Sequence, residues 1–302
     1  MSFHSRRFDR AAHTYAGYSS IQERMAEVLL SLLAPPNAGN GAASGPDEGN
    51  RQVSGNIKDI APSPILEIGC GTGHFTRRIR SRFPRSHLLV TDVSPRMLDA
   101  ASKGLAGLAG PAPAGRSAMA GGDAILTLFD AEGRATRLPA PILAAAPFAL
   151  AVGNALVQWF PDLTRHFALV QALLAEGGSY LVSGFSRDNF PELNAILRGP
   201  PFQYRKFPGH LPEEVRSAAD EAGFVVEAWK EETLESSYPS PEDFLTAIKS
   251  LGSSRRPEAG QPLTRGKLQH LMRAYRESYP VGTGVRVTWK PWYALLRKAG
   301  RG

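Results

Sequence analysis

This 302-residue sequence has very little cysteine, and it has no long apolar run and no metal-binding spacing. A single cysteine, Cys70, excludes a disulfide framework within one chain and is typical of a reducing compartment. No apolar run is long enough to cross a bilayer, and the basic N-terminus has no apolar stretch of signal-peptide type. The histidines have no cysteine, aspartate or glutamate at metal-ligand spacing. We therefore expect a cytoplasmic protein without a membrane segment or a metal.

Positive charge is what the chain has in excess. The formal net charge is +7 at pH 7, within an otherwise ordinary globular composition of 42% hydrophobic residues. A basic protein suits an acidic partner, and nucleic acid, a coenzyme thioester and an acidic carrier protein all fit that description. Charge alone therefore does not choose among these partners.

The beginning of the chain is organised differently from the rest. Apolar residues recur at spacings of three, four or seven over residues 6–33, which predicts an amphipathic helix. From about 35 to 63 the composition changes to glycine, alanine, proline, asparagine and serine, which predicts a flexible linker. A similar stretch at 104–122 predicts a long surface loop. We divide the chain into an N-terminal helical lid (1–34), a linker (35–63) and a main domain (64–302).

Short strand-like runs alternate with helical segments in the main domain. The clearest runs are Ile65–Ile68, Leu88–Asp92, Phe148–Val152 and Ser179–Phe185. Two further strands are predicted at Phe224–Trp229 and Val285–Leu295, joined by a helical insertion at about 236–280. Alternation of this kind predicts an α/β fold with a mostly parallel sheet and helices on both faces.

A glycine-rich turn follows the first of these strands. The strand ends at the acidic Glu67, and the turn places Gly69, Gly71 and Gly73 before a helix. Glycines let a backbone turn tightly and approach a ligand that a Cβ would exclude. The spacing is not the Gly-x-Gly-x-x-Gly of dinucleotide sites, and no Lys-Ser or Lys-Thr pair follows to read a phosphate. Such a turn suits a cofactor without phosphate, of which S-adenosylmethionine is the common one.

Further residues complete the predicted cofactor site. Asp92 ends the second strand about twenty residues on, where a carboxylate accepts from both ribose hydroxyls. Met97 supplies an apolar face for adenine, and Asp123 with Ala124 supplies an acceptor for the adenine amino group. Asn154 follows the next strand. The alternative is that the glycines only shape a turn and Asp92 only caps a helix, and it is stronger for Asp123.

From residue 64 to about 154 this pattern resembles the class I methyltransferases. The segment Gly153–Leu163 looks like the Asn-x-x-x-Gln-Trp segment of two carboxylate methyltransferase families, the malonyl-acyl-carrier-protein O-methyltransferases and the trans-aconitate methyltransferases. Phe8–Tyr15 with Ile21 and Gln22, Leu263–Leu271 and Val285–Tyr293 resemble the malonyl family. Phe160 replaces a more usual cysteine after Gln-Trp, and the two Gly/Ala/Pro insertions also depart from the family.

The resemblance implies a Rossmann-like, seven-stranded class I methyltransferase fold. It also implies S-adenosylmethionine-dependent O-methylation of the free carboxylate of a malonyl thioester, the step that opens biotin synthesis. A malonyl carboxylate is ionised at pH 7, since carboxyl groups titrate near pKa ~4, so no general base is needed. What the reaction requires is alignment of oxygen, methyl carbon and sulfur, and partial removal of water.

Aromatic and amide side chains are the candidates for the substrate side. We predict Tyr15 as a hydrogen-bond donor to the carboxylate, Gln158 and Trp159 along the methyl-transfer face, and Phe185 closing the acyl side. Tyr18 is a further candidate that is better explained as structural. For Tyr15 and Trp159 a role in packing alone stays open.

The basic stretch before the last strand is the candidate docking surface for the acyl carrier protein. Apolar residues at helical spacing in this stretch leave the basic side chains on the solvated face. The residues predicted to meet the carrier are Lys249, Arg255, Arg256, Arg265 and Lys267. A merely solubilising surface is the alternative.

Three other functions remain as rivals at this point. A trans-aconitate type of carboxylate methyltransferase shares the Gln-Trp segment. An RNA methyltransferase would explain the positive charge, but no RNA-binding appendage is recognisable and we expect no nucleic-acid partner. A non-catalytic S-adenosylmethionine-binding protein belongs to a different class. The sequence predicts neither the oligomeric state nor a preference between the carrier-protein and coenzyme A thioesters.

Overall fold

The computed structural model describes residues 20–33, 63–106, 124–131, 138–202, 209–250 and 264–300. The helix predicted from residue 6 is described only from Ser20 onward. The predicted linker, up to residue 62, and residues 107–122 of the predicted surface loop lie outside the described ranges. Those parts of the predicted organisation therefore stay predictions.

Within the described ranges, ten strands form two sheets. They are β1 Ile65–Ile68, β2 Leu88–Asp92, β3 Ala124–Leu128, β4 Phe148–Gly153, β5 Leu174–Phe185, β6 Phe224–Glu231, β7 Leu234–Tyr238, β8 Pro280–Val281, β9 Gly284–Trp289 and β10 Pro291–Lys298. The main sheet has seven strands in the order β3-β2-β1-β4-β5-β10-β6, and only β10 runs antiparallel to its neighbours. The predicted seven-stranded, mostly parallel sheet is confirmed.

Helices cover both faces of the main sheet. The described helices are α1 Ser20–Ser31, α2 His74–Arg82, α3 Pro95–Ala106, α4 Ala140–Ala145, α5 Leu163–Leu173, α6 Pro191–Arg198, α7 Pro212–Glu221, α8 Pro241–Ser250 and α9 Arg265–Ser278. One apolar core receives α1, α2 and α3 through residues such as Leu29, Phe75 and Ala101. A second core receives α5 and α7 through Phe167 and Val215. Strands β1 and β2 are buried along their whole length, as a sheet covered on both faces requires.

The segment predicted as one strand over Val285–Leu295 is two strands in two different sheets. Strand β9 belongs to a small antiparallel sheet of order β7-β9-β8, whereas β10 belongs to the main sheet. The chain changes sheets at Lys290, whose N–H donates to Asn189 Oδ1 at 2.7 Å and whose carbonyl accepts from Ser186 N. Pro291, which has no N–H to donate, then begins β10. The prediction of a single strand was therefore wrong.

A buried carboxylate fixes this junction from the side of α6. Glu192 is 3% exposed and accepts from the Thr288 backbone N–H at 3.1 Å and from the Thr288 hydroxyl. The Arg286 guanidinium lies 3.5 Å from the same carboxylate. These contacts attach the segment after β5 to β9, which is about a hundred residues further along the chain.

Crossing a bilayer requires a helix that is both long and apolar. None of the described helices is long and apolar enough to do so.

Candidate active site

The carboxyl ends of the parallel strands meet at one edge of the main sheet and open into a cavity. Strand β1 lies between β2 and β4, so the loops after β1 and β2 lead to one side and the loop after β4 to the other. A crevice at such a reversal of strand order is the usual ligand site of open α/β sheets. The walls come from the loops that follow β1, β2, β3 and β4.

The glycine-rich turn forms one wall of the cavity. Gly69 and Gly71 line it and have φ angles of 73° and 53°, in the left-handed region that favours glycine. A Cβ at Gly69 would lie 2.7 Å from Leu156 Cδ1, another lining residue. Gly73 has a different task, because it does not line the cavity and a Cβ there would lie 2.9 Å from the Ala101 Cα in α3. Two of the three predicted glycines therefore face the cavity, and the third allows close helix packing.

Asp92 joins the glycine turn to the end of β2. Its Oδ2 accepts from Gly71 N at 3.0 Å, and its Oδ1 accepts from Ser94 N at 2.8 Å. A carboxylate has about four acceptor sites, so it can accept more than these two hydrogen bonds. Met97, as predicted, supplies an apolar wall beside it.

Of the two residues predicted at the adenine end, Asp123 and Ala124, the structure describes only Ala124. Ala124 pairs with Leu88 at the amino end of the strands, whereas Leu128 pairs with Asp92 at the cavity edge. The structure therefore does not bring Ala124 to the site, and Asp123 lies outside the described residues. The acid at the cavity is Asp130, which follows the carboxyl end of β3. Its position after an apolar run, like that of Asp92 after β2, was the signal that could have found it.

Asn154 lines the cavity on the β4 side and holds α1 against the sheet. Its Nδ2 donates to the Gln22 carbonyl in α1 at 2.8 Å, and its Oδ1 accepts from Ser183 Oγ at 2.9 Å. Ser183 Oγ also accepts from Ala155 N at 2.9 Å. The residue predicted from its position after a strand therefore also connects the N-terminal helix to the cavity.

Of the predicted substrate residues that the structure describes, only Trp159 lines the cavity. Gln158 is 6% exposed because both ends of its amide are bonded to the backbone: Nε2 donates to Ala155 O at 2.6 Å, and Oε1 accepts from Phe185 N at 3.3 Å. Phe185 is buried against Trp289, with ring centroids 5.5 Å apart. The prediction that Gln158 and Phe185 line the site is therefore wrong for this cavity, and Gln158 positions the loop that carries Trp159.

The other two predicted substrate residues are Tyr15 and Tyr18. Both lie outside the described residues, so their predicted roles remain proposals. Phe160, the residue that departs from the family pattern, lines the cavity beside Trp159.

Glu67 is a buried acid beneath the turn rather than part of the cavity wall. It is 1% exposed, and its carboxyl group interacts with the Thr76 side chain, which opposes the effect of burial on its pKa. Burial raises the pKa of Glu67 to about 8, and the nearby Asp92 acts in the same direction. The side chain is therefore largely protonated at neutral pH.

A histidine that the sequence did not single out contacts two residues that line the cavity. Burial lowers the pKa of His166 to about 4, so its ring is neutral. Its Nδ1 lies 3.2 Å from the Ala131 carbonyl and its Nε2 lies 3.0 Å from the Tyr180 hydroxyl. Because a carbonyl only accepts, Nδ1 carries the proton and Nε2 accepts from Tyr180. The ring also stacks on Phe160 at 3.8 Å between centroids, which fixes two lining residues.

The predicted docking residues are only partly described. Lys249 and Arg265 are exposed, and Lys267 is half-buried in the first turn of α9. Arg255 and Arg256 lie outside the described residues. Helix α9 buries Leu271, Met272 and Tyr275, but Leu268, one of the apolar residues at helical spacing in this stretch, is 41% exposed. Within the described ranges, no group of three or more histidine, cysteine or acidic residues is arranged to hold a metal, and the expectation of no metal stays a prediction.

Residues 66–180, from β1 to β5, match a family described as a methyltransferase domain. Among solved structures, a putative methyltransferase from Bacillus halodurans C-125 shares the fold, with a TM-score of 0.51, 15% identity, and coverage of 80% of this chain and 96% of that one. Together with the strand order and the glycine turn, the family match identifies residues 66–180 as a methyltransferase domain.

The similarity to curated proteins extends over nearly the whole chain. The malonyl-[acyl-carrier protein] O-methyltransferase of Geobacter sulfurreducens is 28% identical over 302 residues, which is 96% of each protein. That of Chlorobium luteolum is 28% identical, covering 98% of this chain and 95% of the relative. A protein of the same name from Halalkalibacterium halodurans is 26% identical over 97% and 96%.

Proposed function

We propose that this methyltransferase transfers a methyl group from S-adenosylmethionine to the free carboxylate of a malonyl group carried on acyl carrier protein. The observation that carries the proposal is the similarity to malonyl-[acyl-carrier protein] O-methyltransferases over 96% of both chains. Such similarity includes α1 and the region of β7–β9, which lie outside the matched methyltransferase domain at 66–180. The malonyl methyl ester formed would prime biotin synthesis.

The cavity fits the proposed cofactor. Gly69 and Gly71 leave room that side chains would fill, and Asp92 presents acceptor capacity suited to the ribose hydroxyls. Met97 and Phe129 offer apolar surface for adenine, with Asp130 as the acceptor for its amino group. When bound, S-adenosylmethionine supplies a methyl group made electrophilic by the adjacent sulfonium.

The residues around the cavity are suited to orient an anionic nucleophile without deprotonating it. His166, the buried histidine beside the site, is neutral and bonded at both nitrogens, so it is not available as a base. A carboxylate needs none, because it is already ionised at neutral pH. Trp159 and Phe160 would exclude water from the carboxylate, and a weak nucleophile reacts faster once it is partly desolvated. Tyr15 and Tyr18 are proposed to complete this wall.

A substrate assay separates this proposal from its rivals. Purified protein is incubated with cofactor labelled in the methyl group and with malonyl carrier protein, trans-aconitate or bulk RNA. We expect label on malonyl carrier protein in a methyl ester, from which alkaline hydrolysis releases labelled methanol. Labelling of trans-aconitate alone would assign the second carboxylate family, and labelling of RNA would overturn carboxylate chemistry altogether.

We also propose that the basic residues around α8 and α9 receive the acidic carrier. Charge reversal by Arg265→Glu with Lys267→Glu should slow association with malonyl carrier protein about tenfold at low salt and flatten its salt dependence. Arg255→Glu with Arg256→Glu should act in the same way. Turnover of a short malonyl thioester, which has no carrier to dock, should change little.

The matched control for docking is Arg82→Glu with Arg85→Glu. Both arginines are exposed, Arg82 at the end of α2 and Arg85 just after it. This double variant replaces two basic residues with glutamate, so it changes the net charge by the same amount as the docking variants. Equal slowing by the docking variant and the control variant would show that the effect comes from the net charge of the protein and not from a docking surface. Equal losses on carrier and short thioester would point to an active-site defect and contradict the docking surface.

A further inference from the structure

Gln22, in the first turn of α1, has a buried side chain with an unmet need for a hydrogen bond. It is 9% exposed, and its Oε1 is fully buried without a hydrogen-bond partner among the described residues. Helix α1 places Met25, Ala26 and Leu29 in the apolar core and leaves Glu27 in solvent. Buried polar groups in native proteins are almost always hydrogen-bonded, so this amide requires a partner beyond the described residues.

The backbone around Gln22 lies at the cavity. Its carbonyl accepts at 2.8 Å from Asn154 Nδ2, a side chain of the cavity wall. The next residue, Glu23, has its carboxylate 3.3 Å from Nδ1 of His74, which begins α2 immediately after the glycine turn. The first turn of α1 therefore bridges the end of β4 and the glycine turn.

The strand order decides which end of the proposed cofactor faces Gln22. Asp92 and Asp130, suited to ribose and adenine, follow β2 and β3 on one side of β1. Asn154, to which Gln22 is bonded, follows β4 on the other side. A ligand whose nucleoside lies against Asp92 and crosses the glycine turn therefore presents its remaining part, the α-amino acid, toward Gln22.

The chemistry of an amide matches that part of the ligand. An amide oxygen accepts from an ammonium group, and an amide nitrogen donates to a carboxylate. The match does not depend on which amide atom is oxygen, since a rotated amide offers the same two functions. Glu67, the other buried acceptor beneath the glycine turn, is largely protonated and so is not an equivalent acceptor.

We propose that Gln22 binds the α-amino acid end of the cofactor and so makes α1 part of the cofactor site. This inference rests on the proposed use of S-adenosylmethionine. Met replaces Gln in the test variant Gln22→Met, because it has similar length, forms helix equally well and has no hydrogen-bonding amide.

The test compares two nucleosides by calorimetry. S-adenosylhomocysteine has the amino acid end, and 5′-methylthioadenosine lacks it. For Gln22→Met we expect at least tenfold weaker binding of S-adenosylhomocysteine and less than a twofold change for 5′-methylthioadenosine. The ligand-free variant should unfold at the same temperature as the wild type or a higher one, because an unpartnered buried acceptor has been removed.

Each contrary outcome has a defined meaning. Equal weakening of both nucleosides, or of neither, would overturn the role of Gln22, and Gln22→Ala provides the same comparison if the Met variant folds poorly. Glu27→Gln, on the exposed face of the same helix, is the matched control and should leave both affinities unchanged. Failure of the wild type to bind S-adenosylhomocysteine would instead overturn the proposed cofactor.

Discussion

The edge of the main sheet that carries the cavity and the junction between the two sheets at Lys290 are built in different ways. At the cavity edge the decisive contact is the hydrogen bond from Gly71 N to Asp92, which joins residues 21 positions apart. At the sheet junction Thr288 bonds to Glu192 across 96 positions, and Lys290 bonds to Asn189 across 101. The first region is a strand-turn-helix unit with its neighbouring strand, and the second exists only when distant segments meet.

This difference explains which features could be predicted. A glycine turn and the acid at the end of the next strand keep their spacing along the chain, because both are set by local backbone geometry. A buried carboxylate that receives the N–H of a distant strand has no such spacing. The two regions should therefore also respond differently to substitution, the first in ligand binding and the second in stability.

The largest expected effect is loss of cofactor binding in Gly71→Val. A β-branched side chain at φ 53° would be strained and would occupy the cavity, so affinity for S-adenosylhomocysteine should fall roughly a thousandfold. Gly282→Val is a matched control, because Gly282 has a φ of 54° and a Cβ added there would have nothing within 4 Å. Calorimetry that finds unaltered binding in folded Gly71→Val would contradict the assignment of this turn.

The next effect concerns the acid beneath the same turn. With its pKa raised to about 8, Glu67 holds a proton in the folded state between about pH 4.5 and 8, where the unfolded state releases it. The free energy of unfolding should therefore fall as the pH rises through this window, by about 4 kcal/mol from this group. Glu67→Gln should remove that decline, and Glu27→Gln should not.

Urea denaturation between pH 5 and pH 8 measures this difference directly. Contributions from all other groups are common to the wild type and Glu67→Gln, so they cancel when the two curves are subtracted. Parallel curves would show that Glu67 titrates as an ordinary carboxyl group and would contradict the raised pKa.

A smaller effect is expected at the sheet junction. Glu192→Gln keeps the shape of the side chain but replaces one acceptor oxygen with a donor that faces the Thr288 N–H or hydroxyl. The free energy of unfolding should fall by about 1–2 kcal/mol, while affinity for S-adenosylhomocysteine stays within twofold. Glu242→Gln, which disrupts the exposed ion pair with Arg276, should cost less than about 0.5 kcal/mol. A large loss of ligand affinity in Glu192→Gln would show that the two regions are not independent.

The errors of the sequence-based site have a common physical origin. Ala124 was expected at the adenine end because an acid precedes it, but it begins β3 at the end far from the cavity, and Asp130 reaches the cavity instead. Gln158 and Phe185 were expected to face substrate. Their side chains are occupied in the fold, one by two backbone hydrogen bonds and the other by Trp289. Such occupation depends on partners that no local pattern reveals.

The sequence by itself determined the class of fold and the position of the glycine-lined cavity. The spacing of apolar residues, the length of each strand and the Gly-x-Gly-x-Gly turn are local properties of the sequence. Parallel strands then bring their carboxyl ends to one edge of the sheet. Only the tertiary structure decided that α1 is bonded to Asn154, that His166 braces Ala131, and that the chain changes sheets at Lys290. Each of these is a pairing between segments far apart in the chain, and such pairings are selected by packing of the whole domain rather than by neighbouring residues.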